Sequence, residues 1–159
     1  MEMKTYSLSV FTPEGTITLE VCQMVMNQDE ENMNVTLSTT IQGKSRLYNG
    51  GTTEIALINL AKDLPENWCI KSCLSCRYGH FCPVGNYDNE LFCVTDFEPK
   101  VPRDLWHVTE DDDERKNRSH NLFECCELYK EQSSDYFTYS DYYFEINGVK
   151  RRDNIYKKC

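Results

Sequence analysis

Apolar and polar residues alternate along the N-terminal part of the chain. Tyr6, Leu8 and Val10 interleave with Ser7 and Ser9, the two-residue period of a half-buried strand, and predict a strand over 4–11. Thr12-Pro13-Glu14-Gly15 reads as a turn, with Pro presetting φ and Gly admitting positive φ. Ile17, Leu19, Val21 and Val25 give a second apolar face over 16–26. After the polar break from Gln28 to Asn32, Met33, Val35, Leu37 and Ile41 give a third over 33–41, opposite Asn34, Thr36 and Ser38. Three consecutive strands with short links predict an antiparallel meander with one wet face.

The period then changes. Asn49-Gly50-Gly51 breaks the strand pattern, and Gly51 or Thr52 can cap a helix over about 53–63, with Glu54 at its positive end. Ile55, Ile58 and Ala61, with Leu57 and Leu64, form its expected apolar stripe, and Leu64-Pro65 ends it. Farther on the pattern weakens. Glu90 to Thr95 reads as a short strand, and Pro99 and Pro102 mark a connection. Asp104 to His107 and Arg115 to Tyr129 read as helical, the second against the preferences of Asn117, Ser119, His120 and Asn121. Tyr136 to Phe144 is dense in aromatics, and Asn147-Gly148 between strand-like residues, up to Val149-Lys150, predicts a hairpin. The expected fold is α+β: an N-terminal antiparallel β-meander packed on a helix, a Cys-rich metal-binding knuckle, and an irregular, aromatic-rich C-terminal part. With no long linker, the pattern predicts a single domain over 1–159, made of the meander and helix (1–66), the Cys-rich part (67–130) and the aromatic and hairpin tail (131–159).

Composition narrows the function classes. The chain has 159 residues, 40% of them hydrophobic, enough for a core and too many for a disordered chain. Its net charge of −9 opposes non-specific binding to nucleic acid. The charge is uneven: Glu110 to Glu114 is an acidic run, while Lys150, Arg151, Arg152, Lys157 and Lys158 are basic. No apolar run has the length of a membrane span. The first residues lack the apolar core of a secretory signal, so the expected compartment is the cytosol. Thiols stay reduced there, and clustered cysteines bind metal more often than they form disulfides. The odd total of nine cysteines agrees.

Five of the nine fall between Cys69 and Cys93. Cys73-Leu-Ser-Cys76 is a C-x2-C, whose spacing brings two thiolates onto one metal from a tight turn. A tetrahedral site needs two more ligands, and Cys82, Cys93, Cys125, Cys126, His80 and His120 are candidates. Cys69-x3-Cys73-x2-Cys76 also has the spacing of the iron–sulfur triplet of radical S-adenosylmethionine enzymes. The chain is short for that family's partial barrel, and antiparallel strands precede the motif.

The segments Cys73-Leu-Ser-Cys76-Arg-Tyr78-Gly, Pro83-Val-Gly85-Asn86 and Leu91-Phe-Cys93 resemble an uncharacterised bacterial domain family, a domain of unknown function. Its members carry C-x2-C-x-Y, a Pro-x-Gly loop and a third cysteine, often with a fourth downstream in a setting similar to Phe123-Glu-Cys125-Cys126-Glu127-Leu128. The resemblance spans roughly residues 66–130. It implies a four-cysteine site and no activity. This chain departs from the simple pattern in Cys69, Cys82 and the doubled Cys125-Cys126.

The expected ligands are therefore Cys73, Cys76, Cys93 and Cys125, with Cys126 as the alternative fourth, and the expected metal is Zn²⁺. Four thiolates leave no open position for water, which makes the site structural. Cys22 is expected to be a buried small hydrophobe on the second strand. Cys159 is expected to be a solvated thiol. Cys69 and Cys82 stand between packing and alternative ligation.

No other motif carries chemistry with comparable force. His80 stands near Cys82, but catalytic pairs are joined by the fold rather than by adjacency. His107 and His120 are isolated, and Glu110 to Glu114 lacks the spaced oxygens of a calcium loop. There is no phosphate-binding glycine motif. The tyrosines and phenylalanines of 136–144 read mainly as packing. Where exposed beside Asp135, Asp141 and Glu145, they suit a basic protein partner. The expected function is a cytosolic binding or interaction module with a structural zinc site. The alternative is a small hydrolase using a reactive cysteine or an open-site metal.

Overall fold

The computed structural model describes residues 2–29, 32–85 and 89–148. Asn86, the Val149-Lys150 end of the expected hairpin, and Cys159 lie outside them. The chain is α+β, as its pattern predicts. Among the described residues no helix is long and apolar enough to cross a membrane. The chain divides into two compact units, the first ending at Lys71 and the second beginning at Ser72.

In the first unit, β1 (Glu2–Thr12), β2 (Gly15–Asp29), β3 (Asn32–Ile41) and β4 (Lys44–Gly50) run up and down, and β5 (Cys69–Lys71) joins the far edge. The sheet order is β4-β3-β2-β1-β5, all antiparallel. Leu8, Val10, Leu19, Val21, Val35 and Leu37 are buried on one face, the faces that period-2 alternation assigns. Between β1 and β2 the Thr12 hydroxyl donates to the Gly15 carbonyl and accepts from the Glu14 N–H.

Two strands of this sheet escape the sequence pattern. β4 opens with Lys44-Ser45-Arg46, exposes Leu47, and buries only Tyr48. Its hairpin turn, Gln42-Gly43, has φ of +49° and +76°, the doubly left-handed backbone of a type I′ turn. Gly43 was the only cue to it. β5 pairs with β1 through Ser9↔Lys71, Val10↔Ile70 and Phe11↔Cys69, so the meander part continues past residue 66.

Helix α1 (Thr53–Lys62) packs against β3 and β4. Thr52 caps it: its extended backbone lets its side chain accept the Ile55 N–H. The buried face is Thr53, Ala56, Leu57, Ile58 and Leu60, whereas Ile55 is exposed. The stripe expected on Ile55 and Ala61 is thus rotated. Buried Gln23 meets this face, its amide donating to the buried Thr53 hydroxyl at 2.6 Å. Thr52→Ala is expected to remove the cap and cost about 1 kcal/mol in urea unfolding. An unchanged midpoint would show that the cap is not limiting.

The second unit is built on a smaller antiparallel sheet, order β6-β7-β8, from Gly79–His80, Glu90–Cys93 and Ser119–Asn121. A 3-10 turn, Cys73–Ser75, precedes it. Another, Pro102–Leu105, leads into α2 (Trp106–Glu110), followed by α3 (Asp112–Arg118). Val94, Leu105 and Val108 form a core with Phe97 and Tyr139 against it.

The acidic run is a solvated face, and most of it forms the start of a helix. The Asp111 carboxylate accepts the N–H groups of Asp113 and Glu114. Acids fill the first turn of α3, and Arg115, Lys116 and Arg118 lie toward its end, which matches the helix dipole. The helix expected over 115–129 ends at Arg118, because Ser119–Asn121 extends to pair with β7. Tyr142–Asn147 is helix α4, and Gly148 terminates it at φ +63°. Asn147-Gly148 therefore closes a helix and does not turn a hairpin.

Candidate metal centre

Strand parity assembles half of the site. Gly79 pairs with Cys93, and Leu91 pairs with His120. Leu91 and Cys93, two residues apart, share a face of β7, and their partners Gly79 and His120 share it with them. These four residues line a cavity of about 10 Å³ that Cys73, Cys76, Tyr78, Cys125, Cys126 and Tyr129 complete. This is room for about one water-sized body.

Backbone bonds tie the three cysteine-bearing segments together. The Cys73 N–H donates to the Glu124 carbonyl at 2.6 Å, joining the C-x2-C turn to the segment that carries Cys125 and Cys126. The turn itself closes through Cys76 N–H to Cys73 O, and Gly79 N–H to Cys76 O follows. The stretch 129–132 then runs beside it. Cys76 bridges Glu131, Arg77 N–H donates to Lys130 O, and Gln132 N–H donates to Ser75 O. Tyr129 reaches the Ser75 hydroxyl at 3.2 Å.

Gln132 is a structural residue that sequence reasoning missed. It is buried, its amide nitrogen donates to Leu74 O and Cys76 O, and its amide oxygen accepts the Tyr143 N–H. It so fastens the C-x2-C turn to α4. A glutamine between polar neighbours carries no pattern that distinguishes it from a surface residue.

Cys73 and Cys93 sit in a setting that keeps their thiols protonated when no metal is bound. Burial, then the neighbouring Cys76, Cys93, Glu124 and Cys126, pushes the Cys73 thiol far up. Burial, with Cys76 and Cys126, pushes Cys93 up to about 11, against the opposing pull of Arg118. Cys126 therefore acts on both Cys73 and Cys93. Cys73 and Cys93 are half-buried and Cys76 is buried, while Cys125 and Cys126 are exposed at the mouth. Among the described residues, no group of three or more His, Cys, Asp or Glu is arranged to hold a metal ion. The cysteines border a common cavity without having closed on its centre.

The remaining candidates fall elsewhere. Cys69 is exposed on β5 and Cys82 is buried, and neither lines the cavity. Cys22 is half-buried on the face of β2 opposite to Leu19 and Val21, beside Ser38, and not in the core expected for it. His80 is fully buried on the other face of the small sheet, stacked on Phe137, with its Nδ1 accepting the Tyr139 N–H. Its role is to pin the aromatic segment. Tyr142 is buried, and Tyr136 packs edge-on to Tyr78 under Arg77. Compared with protein-family models, curated proteins and solved structures, the chain matches none.

Proposed function

We propose that the protein is a cytosolic interaction module whose C-terminal unit is braced by a structural Zn²⁺. Cys73, Cys76 and Cys93 would supply three thiolates. Cys126 takes the fourth place first expected of Cys125, because it is among the neighbours that push up both Cys73 and Cys93. The carrying observation is that five cysteines from three distant segments border one ion-sized cavity. Cys73 and Cys93, pushed up by burial and by their thiol neighbours, are costly to ionise separately, and a divalent cation removes that cost by replacing their protons. Cys126 is exposed, so its side chain can rotate inward without disturbing a packed neighbourhood.

Two observations weigh against the hydrolase alternative. A nucleophilic cysteine needs a lowered pKa, and Cys73 and Cys93 are pushed the other way. A cavity of about 10 Å³ also has no room for an organic substrate beside the thiols. The net charge of −9 favours a basic protein as the partner.

Elemental analysis of the purified full chain is expected to find one equivalent of zinc and no iron. Cys73→Ser is expected to abolish metal retention and lower the melting temperature, because a structural zinc contributes folding free energy. Alkylation of the exposed Cys126 should be slow in the loaded wild type and faster after chelation. A metal-free wild type, or Cys73→Ser and Cys93→Ser variants that keep full zinc, would sink the reading.

A further inference from the structure

His120, one of the candidate ligands, lines the same cavity as the cysteines and has no place in the four-thiolate site. Its position is fixed by two independent features. The β7–β8 register sets it opposite Leu91, on the face that carries Cys93. Its ring Nδ1 lies 2.8 Å from the Glu124 carboxylate, one turn of chain away. A carboxylate on Nδ1 selects the tautomer with the proton there, which leaves the Nε2 lone pair for a metal. Glu124 is anchored in turn, since its carbonyl accepts the Cys73 N–H. The histidine is thus oriented by the residue that ties the C-x2-C turn to the Cys125-Cys126 segment.

We propose that His120, oriented by Glu124, is an exchangeable ligand of this site, closing it as Cys73, Cys76, Cys93 and His120 whenever Cys126 is withdrawn. The inference rests on the zinc reading above and adds a second closure to it. Three thiolates stay constant. The fourth position alternates between an exposed thiolate and an imidazole, both ordinary zinc ligands in a tetrahedral site. The site then keeps its metal when the Cys126 thiol is blocked or engaged elsewhere. Surface thiols react first, and Cys126 is exposed where Cys76 is buried.

The test uses Co²⁺ in the full-length chain, because its visible bands move to shorter wavelength when nitrogen replaces sulfur. Wild type is expected to bind one equivalent with the bands of a four-thiolate centre. Absence of binding there would overturn the zinc reading itself. Cys126→Ala is expected to bind one equivalent with bands displaced to shorter wavelength. Adding His120→Ala should weaken that binding a hundredfold or more, and adding Glu124→Gln instead should weaken it about tenfold or more. Glu124→Gln keeps a hydrogen-bond acceptor and serves as the variant least able to disturb folding. Three results would overturn the proposal while leaving the zinc reading standing: Cys126→Ala with unchanged four-thiolate bands, Cys126→Ala with no metal bound, or a double variant with Cys126→Ala and His120→Ala that binds as well as Cys126→Ala.

Discussion

Gly79→Ala is expected to destabilise the C-terminal unit by about 3 kcal/mol or more, well beyond an ordinary glycine substitution. The reason is steric and lies in backbone rather than in φ. A methyl group at Gly79 would run into the Cys73 carbonyl oxygen, with the Cys73 carbonyl carbon at 3.2 Å behind it. Neither atom belongs to a side chain that can swing away. Gly79 is buried, pairs with Cys93 and donates its N–H to Cys76 O. Relief would require β6 to part from the C-x2-C turn, which would also draw Cys93 away from Cys73. If the proposed zinc site is right, the variant should lose metal affinity together with stability. Gly51→Ala is the control, since a methyl group there meets nothing within 4 Å, and it should stay within about 1 kcal/mol of wild type. Urea unfolding of both variants decides the matter: a Gly79→Ala midpoint as high as that of Gly51→Ala would mean that the close approach is relaxed at no cost.

The role of Gly79 also marks where sequence reading reaches its limit. The C-x2-C is visible in the chain, and Gly79 reads there as a relaxed turn residue. Its actual constraint, a carbonyl pressed on its α-carbon, exists only once β6 has folded over the turn. The first three strands and α1 were legible because burial on one face imposes a period, and Leu8, Leu19 and Leu37 obey it over long runs. β6, β7 and β8 are two to four residues long, too short to establish any period. Membership of the site was accordingly half readable. Cys73, Cys76 and Cys93, expected together as ligands, do line one cavity. Cys125 and Cys126 both line it too, and adjacent residues carry identical spacing information. His120 is a candidate ligand that stands isolated in the sequence, because its partners, Leu91 across the ladder and Glu124 four residues on, are joined to it by register and not by motif. The Asn147-Gly148 signal misled for a related reason. Glycine at positive φ serves a helix end as well as a hairpin, and only the helical residues from Tyr142 decide between them.

Acidification from pH 7 to pH 4.5 is expected to remove about 2.5 kcal/mol of stability through His80 alone. The ring is fully buried, and burial pulls its pKa from the ordinary 6.5 down to about 4. Its Nδ1 accepts the Tyr139 N–H at 3.0 Å, which fixes the neutral ring with its proton on Nε2. That Nε2 has no hydrogen-bond partner among the described residues, so a second ring proton has nothing to stabilise it. Unfolded, the histidine takes up a proton near pH 6.5, whereas the folded chain resists until about pH 4. Between those values the unfolded state binds more protons, and stability falls as the pH falls. The contribution is complete above pH 6.5 and gone once the pH has dropped below about 4. Protonation would also end the acceptor role of Nδ1, freeing the segment that stacks Phe137 on the ring and accepts the Phe81 N–H at the Tyr139 carbonyl. His80→Gln retains an acceptor for the Tyr139 N–H and cannot titrate. Urea unfolding of the two chains at pH 7 and pH 4.5, both metal-free so that ligand protonation does not intrude, should give a wild-type loss exceeding that of His80→Gln by about 2.5 kcal/mol. Equal losses would mean that His80 is protonated in the folded chain, and that the buried, stacked ring is not what makes this unit sensitive to acid.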